Sequence, residues 1–349
     1  MTFFENAENR GHESIHHFHD AKTGLRAIIA IHSTALGPAA GGARRWQYDN
    51  EAEATTDALR LARGMTYKNA MAGLPLGGGK AVILADPGHT PSEEMFLAFG
   101  RCVESLGGRY VTAEDVGMTM GNMRTIKQVT DFVAGLPPNE GSAGGDPSPW
   151  TADGVFLGLE AAAKHRLGAN SLKNLRIAVQ GVGKVGYDLC RQLHEAGAEL
   201  TISDVNPVHL DRTRADFGAR VVAPEQILFE DVDVLSPNAL GAILNADSIP
   251  RIKAKVIGGA ANNQLATEED GQRLADRDIL YAPDYVINAG GIISVSLEYM
   301  GNKTAADVRE QIALIPGRLE EVFITAEKQQ QLTNVVADAM AERIVNAGT

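Results

Sequence analysis

The chain has 349 residues, a length natural for two domains rather than a single core. Apolar residues make up 44% and charged residues 22%, as in ordinary globular proteins, and no apolar stretch approaches the roughly 18–20 residues of a membrane span. The formal net charge of −12 argues against non-specific binding to DNA or RNA, which calls for a basic surface.

In chain order, the N-terminus carries no signal-peptide pattern, so a cytoplasmic protein is expected. Leu25-Arg-Ala-Ile-Ile-Ala-Ile-His32, preceded by the turn Asp20–Gly24, reads as part of a hairpin. Asp49 to Arg63 has helical spacing, with Asp49 as the expected N-cap. Three glycines precede Lys80, which opens the apolar run Ala81–Leu84, a buried strand. A helix is predicted from Pro91 to Leu106, stopped by Gly107 and Gly108, and a strand at 109–113 then delivers Glu114 and Asp115 to a loop. The Gly/Pro-rich stretch at 135–149 reads as a linker or hinge. Beyond it come a long helix (151–166) and alternating strands and helices, with strands at 175–180, 199–203, 232–235, 254–257 and 279–282. That alternation predicts a parallel sheet covered by helices. The tail from 305 to 347 reads as helical. The two cysteines, Cys102 and Cys190, fall in predicted helices and suggest no disulfide framework.

Two sets of residues carry chemistry. Gly181, Val182, Gly183, Lys184, Val185 and Gly186 form a G-x-G-x-x-G turn after a strand and at the start of a helix, and the next strand leads to Asp204. In that context each part has a job. Gly181 makes the turn, Gly183 lets a pyrophosphate approach the backbone, Gly186 brings helix to strand, and the helix N-terminus faces the phosphates. Asp204, 23 residues beyond Gly181, can accept from adenosine ribose hydroxyls and would repel a 2′-phosphate, which favours NAD over NADP. The second set is Lys68 and Lys80, twelve residues apart in a glycine-rich stretch, where a desolvated cation binds an anion or acts as a base with a lowered pKa. Two cations at one site would depress each other further. Snorkelling surface lysines are the bland alternative. A phosphate-binding Walker A loop is rejected because Leu74 and Ala81 occupy its required Gly and Ser/Thr places. His12, His16, His17 and His19 resemble a metal cluster only by count, since strand alternation puts His16 and His17 on opposite faces; no metal is expected.

Taken with Pro38-Ala-Ala-Gly-Gly-Ala-Arg44, Gly258-Gly-Ala-Ala-Asn-Asn-Gln264 and Asn288-Ala-Gly-Gly-Ile292, these segments make the chain resemble the Glu/Leu/Phe/Val dehydrogenase family, nearest its leucine branch, over nearly the whole length. The resemblance implies an α/β protein of two domains with a cleft between them: a substrate domain at 1–145 and a Rossmann NAD-binding domain at 146–326, the helix at 327–349 packing back on the first. It implies NAD-dependent, reversible oxidative deamination of an L-amino acid to a 2-oxo acid and ammonia, in the catabolism of branched-chain amino acids. It also implies a homo-oligomer, commonly an octamer in the leucine branch. Lys68 would hold the substrate α-carboxylate, Lys80 would activate water as general acid/base, and Asp115 would shuttle protons to and from the amino group. Gly41 and Gly42 would contact substrate through their backbone, and Asn262 would lie between substrate and nicotinamide. Ala40, Met65, Ala113, Ala134, Ile292 and Val295 would line the side-chain pocket, and Asn238, Ala260 and Asn288 would join the glycine turn around the cofactor.

Glutamate-specific members of the family carry a lysine and a serine where this chain has Ala40 and Val295. A buried substrate carboxylate without partners costs several kcal/mol, so an apolar side chain is implied. Ala113–Gly117 looks leucine-like, whereas small Ala40 and Ala134 and the segment Leu74–Lys80 lean towards phenylalanine; Ile292 and Val295 narrow the pocket again. A methylene discriminates by only about 1–3 kcal/mol, so broad use is expected, with leucine preferred and phenylalanine the alternative. A non-catalytic NAD-binding sensor or assembly protein would have no need of the lysines and Asp115.

Overall fold

The computed structural model describes residue 6, residues 8–136 other than 89, residue 143 and residues 145–348. The chain divides into two compact units. The first comprises Met1–Gly145, Ser294–Asp307 and Ala341–Thr349; the second comprises Asp146–Ile293 and Val308–Met340.

The first unit is built on a mixed sheet of strands β1 (Ser14–Asp20), β2 (Leu25–Ser33), β3 (Ala39–Trp46), β4 (Gly77–Leu84) and β5 (Tyr110–Glu114), in the order β1-β2-β4-β3-β5. The hairpin β1–β2 is antiparallel, β2 runs antiparallel to β4, and β4, β3 and β5 are mutually parallel. Alternation along the strands divides the core. Ile28, Ala30 and Val82 pack with Ala54, Ala58, Leu59 and Ala62 of α1 (Glu51–Met71). Leu25, Ala27, Ile29, Ile31, Ala81 and Ile83 form the opposite layer. That layer meets Phe96 and Phe99 of α2 (Glu93–Glu104) and Met123 and Ile126 of α3 (Met120–Lys127).

α1 departs from the sequence expectation at both ends. Its N-cap is Asn50, whose Oδ1 accepts from Glu53 N at 3.0 Å, rather than Asp49. It also continues past Gly64 to Met71, which makes Lys68 part of its last turn. The glycine costs about 1 kcal/mol, and burial of Tyr67, Ala70 and Met71 outweighs it.

Within the expected linker, residues 137–142 and 144 lie outside the described residues. The second unit then opens with α4 (Ser148–Leu167). Its strands are β6 (Arg176–Gln180), β7 (Glu199–Ser203), β8 (Arg220–Val221), β9 (Val234–Pro237), β10 (Val256–Ile257) and β11 (Leu280–Tyr281). All pair in parallel, in the order β11-β10-β9-β6-β7-β8. This is the doubly wound dinucleotide-binding order, whose switch point lies between β6 and β9. The intervening helices are α5 (Lys184–Glu195), α6 (Pro207–Phe217) and α7 (Glu269–Asp276), and the short α8 (Asp284–Ile287) follows β11. The two-residue β8 escaped the sequence reading because it carries no apolar run; both residues are exposed.

The remainder of the chain forms α9 (Gly290–Met300), α10 (Ala305–Ile312), α11 (Ile315–Gln329) and α12 (Thr333–Ala347). The unit boundaries differ here from the expected 146–326 and 327–349. Residues 294–307 belong to the first unit, and residues 308–340 to the second. Tyr281 O accepts from Thr333 Oγ1 at 2.7 Å, and Tyr285 OH donates to Asp338 at 2.7 Å, which ties the start of α12 to the second unit. Only from Ala341 does α12 belong to the first unit, where Tyr67 OH donates to Glu342 at 2.6 Å. Among the described residues no helix is long and apolar enough to cross a membrane, and no cluster of three or more His, Cys, Asp or Glu could hold a metal ion.

Candidate active site

In the first unit β4 places Lys80 on the α1 side of the sheet, in step with Gly78 and Val82. The side chain is 7% exposed, and its Nζ meets Asp115 Oδ2 in a close ion pair. Asp115 follows β5, where the chain turns back: Met118 N donates to Asp115 O, and Arg45 N to Val116 O at 2.9 Å. Gly117, at φ +77°, makes this return possible; a Cβ there would lie 2.0 Å from Arg45 O. Gly42 leaves room for the acid, since a Cβ would lie 2.8 Å from Asp115 Cβ. Burial pushes the Lys80 amine below the usual lysine range, against the pull of Asp115 and with the help of Arg44. Burial alone would raise the Asp115 carboxyl, but Lys80 and Arg44 together outweigh it and hold it below the usual range.

Arg44 is the residue the sequence reading passed over. It stands at the end of the quoted Gly-Gly-Ala-Arg segment without a role, yet its Nε donates to Asp115 Oδ2 at 3.2 Å and its Nη1 to Asp57 Oδ2 at 3.1 Å. Arg44 is thus a cation that presses on Lys80 and lowers its amine. Lys68 is partly exposed in the last turn of α1, two residues beyond Thr66, which backs Gly78.

The neighbouring small residues fall as follows. Ala40 is buried on β3 opposite Gly78, and Gly41 O accepts from Tyr110 OH at 2.6 Å. Met65 on α1 reaches Gly41, where a Cβ would lie 3.0 Å from its Cγ. Half-buried Ala113 pairs with Gly42, and buried Ala134 donates its N–H to Thr112 O at 2.8 Å. Val295 is half-buried on α9, one turn before Glu298, whose carboxylate accepts from Gly135 N at 2.7 Å and Leu136 N at 3.3 Å. Ile292 belongs to the second unit.

In the second unit the glycine turn leaves the end of β6 at the switch point. Gly181 has φ +84°, and a Cβ would meet Ala239 Cβ at 2.7 Å; at Gly186 one would lie 2.0 Å from Gly181 O. At Gly183 a Cβ would meet nothing within 4 Å, and Gly183 caps α5 with no side-chain hydrogen bond. The helix therefore presents its first N–H groups at an open glycine, which fits a bound pyrophosphate. Val182 is buried, Val185 half-buried, and exposed Lys184 reaches Asp146 at 2.8 Å. Asp204 follows β7 as expected and has a second task. Its Oδ2 accepts from Val182 N at 2.7 Å and its Oδ1 from Asn206 N at 2.8 Å, which holds the glycine turn in place. The expected asparagines form one network. Ala260 N donates to Asn238 Oδ1 at 2.9 Å, and Asn288 Nδ2 donates to Ala260 O at 3.1 Å and to Asn262 Oδ1 at 2.8 Å. Asn262 itself is exposed.

A doubly wound unit with an open glycine turn, in one chain with a desolvated lysine–aspartate couple, defines a nucleotide-dependent dehydrogenase of two domains. Residues 12–131 match the family model "Glu/Leu/Phe/Val dehydrogenase, dimerisation domain", and residues 210–346 match "Glutamate/Leucine/Phenylalanine/Valine dehydrogenase". The chain is 51% identical over 342 residues to a leucine dehydrogenase of Bacillus subtilis (strain 168), covering 98% of this chain and 93% of that one. It is 50% identical over 298 residues to a valine dehydrogenase of Streptomyces virginiae, covering 84% and 83%. The crystal structure of L-tryptophan dehydrogenase from Nostoc punctiforme superposes with a TM-score of 0.87 at 44% identity, covering 99% of both chains. The chain belongs to the Glu/Leu/Phe/Val dehydrogenase family and is an amino-acid dehydrogenase.

Proposed function

We propose that the protein catalyses the reversible, NAD-dependent oxidative deamination of leucine and other branched-chain or apolar L-amino acids, in the cytoplasm and as a homo-oligomer. The buried Lys80–Asp115 pair carries this reading. Lys68 anchors the α-carboxylate, and the Gly41–Gly42 backbone completes that end of the substrate. NAD, held by residues 181–186, Asp204, Asn238, Ala260, Asn262 and Asn288, supplies the acceptor for the hydrogen and electron pair leaving Cα. Asp115, an anion in the resting site, takes a proton from the substrate ammonium and returns one to departing ammonia. Lys80, whose amine burial pushes below the usual lysine range, removes a proton from the water that attacks the imino carbon. The Asp204 carboxylate disfavours a 2′-phosphate.

The substrate side chain meets no charge from Ala40 or Val295, so glutamate would bury its second carboxylate unpaired, at a cost of several kcal/mol. A second reading, an aromatic substrate, draws on small, buried Ala40 and Ala134 and on the kinship with an L-tryptophan dehydrogenase.

Steady-state NADH formation with leucine, valine, isoleucine, phenylalanine, tryptophan and glutamate tests both. Leucine is expected to lead in kcat/KM and glutamate to fail. An aromatic amino acid leading by about tenfold, which is about 1.4 kcal/mol of transition-state discrimination, would replace the aliphatic reading. Lys80→Ala is expected to abolish turnover and leave NAD binding intact; loss of NAD binding would refute separate sites.

A further inference from the structure

Lys80 as a base poses an electrostatic problem that the Lys80–Asp115 pair does not solve. An amine paired only with a buried carboxylate is locked as its ammonium, because giving up the proton strands the anion. The couple needs a second positive charge that does not titrate. Arg44 is one, because a guanidinium keeps its proton at any working pH.

Its placement is specific. Arg44 Nε bonds the same Asp115 oxygen that Lys80 contacts, at 3.2 Å, while its Nη1 bonds Asp57 Oδ2 at 3.1 Å. Asp57 is held in turn by Tyr48 OH at 2.6 Å and by Arg60 Nη2 at 3.2 Å. The side chains of Lys80, Asp115, Arg44 and Asp57 are 7%, 21%, 24% and 14% exposed, so all four charges interact with little screening by water. They alternate in sign along the chain of contacts. Burial and the Asp57 contact push the Tyr48 phenol upward, so it stays a donor to Asp57.

We propose that Arg44, clamped by Asp57 and Tyr48, is a positioning residue that fixes Asp115 as an anion and thereby frees Lys80 to give up its proton and act as the base. The proposal rests on the assignment of Lys80 made above. β2 offers Ala30 opposite Lys80, β5 offers buried Tyr110 behind Gly79, and α1 offers Asp57, Arg60 and, in its last turn, Lys68. Burial raises the Tyr110 phenol, so it stays neutral. Arg44 and Asp57 act on Lys80 with opposite signs: Arg44 favours the free amine and Asp57 the ammonium.

The test is the pH profile of kcat/KM for leucine deamination by the full-length enzyme and its Arg44→Met, Arg44→Lys and Asp57→Asn variants. It is paired with competitive acetylation of Lys80, read by mass spectrometry as a function of pH without substrate. Arg44→Met is expected to move the acidic limb to higher pH and to lower kcat/KM by about tenfold or more at neutral pH, the gap closing as the medium becomes alkaline. The loss should fall on kcat more than on KM. Arg44→Lys should restore most of the limb's position, Asp57→Asn should move it to lower pH, and the acetylation midpoint of Lys80 should follow the same order. A loss equal at every pH with the limb and the acetylation midpoint unmoved would overturn the proposal, as would a shift of both variants in one direction. If Arg44→Met fails to fold, Asp57→Asn and Arg44→Lys still carry the test of sign. Turnover surviving in Lys80→Ala would sink the assignment of Lys80 itself, whereas an inactive Lys80→Ala with an unmoved Arg44→Met limb would refute only the role of Arg44.

Discussion

Replacing Asp204 by alanine removes a carboxylate that the second unit uses twice. It accepts from Val182 N at 2.7 Å and from Asn206 N at 2.8 Å, and its side chain is 11% exposed. A hydrogen bond to a charged group contributes about 1.5–3 kcal/mol, and water can replace part of the loss at the Asn206 side, leaving about 3 kcal/mol. For a unit of this size each kcal/mol lowers Tm by about 2–4 °C, so Asp204→Ala should melt about 6–12 °C lower. Asp204→Asn keeps the shape and one acceptor oxygen for Val182 N, and should melt closer to the parent. Cofactor choice should respond to charge instead. Both variants lose the repulsion of a 2′-phosphate and the charged acceptor for ribose hydroxyls, so the NAD:NADP ratio of kcat/KM should fall by about tenfold to a hundredfold. Scanning fluorimetry and steady-state kinetics with each nucleotide separate the two effects. An unchanged nucleotide ratio in Asp204→Asn would refute the ribose assignment, and an unchanged Tm in Asp204→Ala would refute the supporting role.

The glycine turn gives a paired prediction. Gly183→Ala meets nothing within 4 Å, so Tm should hold while NAD affinity falls; Gly186→Ala drives a Cβ to 2.0 Å from Gly181 O and should cost about 1–3 kcal/mol of stability as well. Equal melting of the two variants would contradict the steric argument. His32 gives a pH dependence. It is buried against His12 and bonds Thr66 Oγ1 at 2.8 Å, and burial lowers its pKa from 6.5 to about 4. The folded state therefore stays neutral while the unfolded state takes up a proton. His32's contribution is full above pH 6.5 and is lost as pH falls towards about 4, by about 3 kcal/mol at most. Urea midpoints should drop over that window, and His32→Gln should flatten the drop; an equally steep slope in the variant would exclude His32 as its source.

Much of this molecule was legible in the sequence because it is local. The strand, the glycine turn, α5 and the approach to Asp204 lie within one βαβ unit, where periodicity and glycine spacing report directly on backbone geometry. The hairpin, Lys80 after its glycines and Asp115 at the end of a strand were legible for the same reason. Three things were decided by the tertiary structure alone. α1 runs through Gly64 because its last turns are buried, which overrides an intrinsic propensity. The division of α12 between the units follows from contacts with residues more than fifty positions away. The partnership of Arg44 with Asp115 follows from strand order: β3 lies between β4 and β5, so the sheet gathers Lys80, Arg44 and Asp115 from three separate strand segments. The sequence by itself determined which residue types could do the chemistry. Only the sheet, through pairings between residues 35 and 71 positions apart, determined which charges stand beside which.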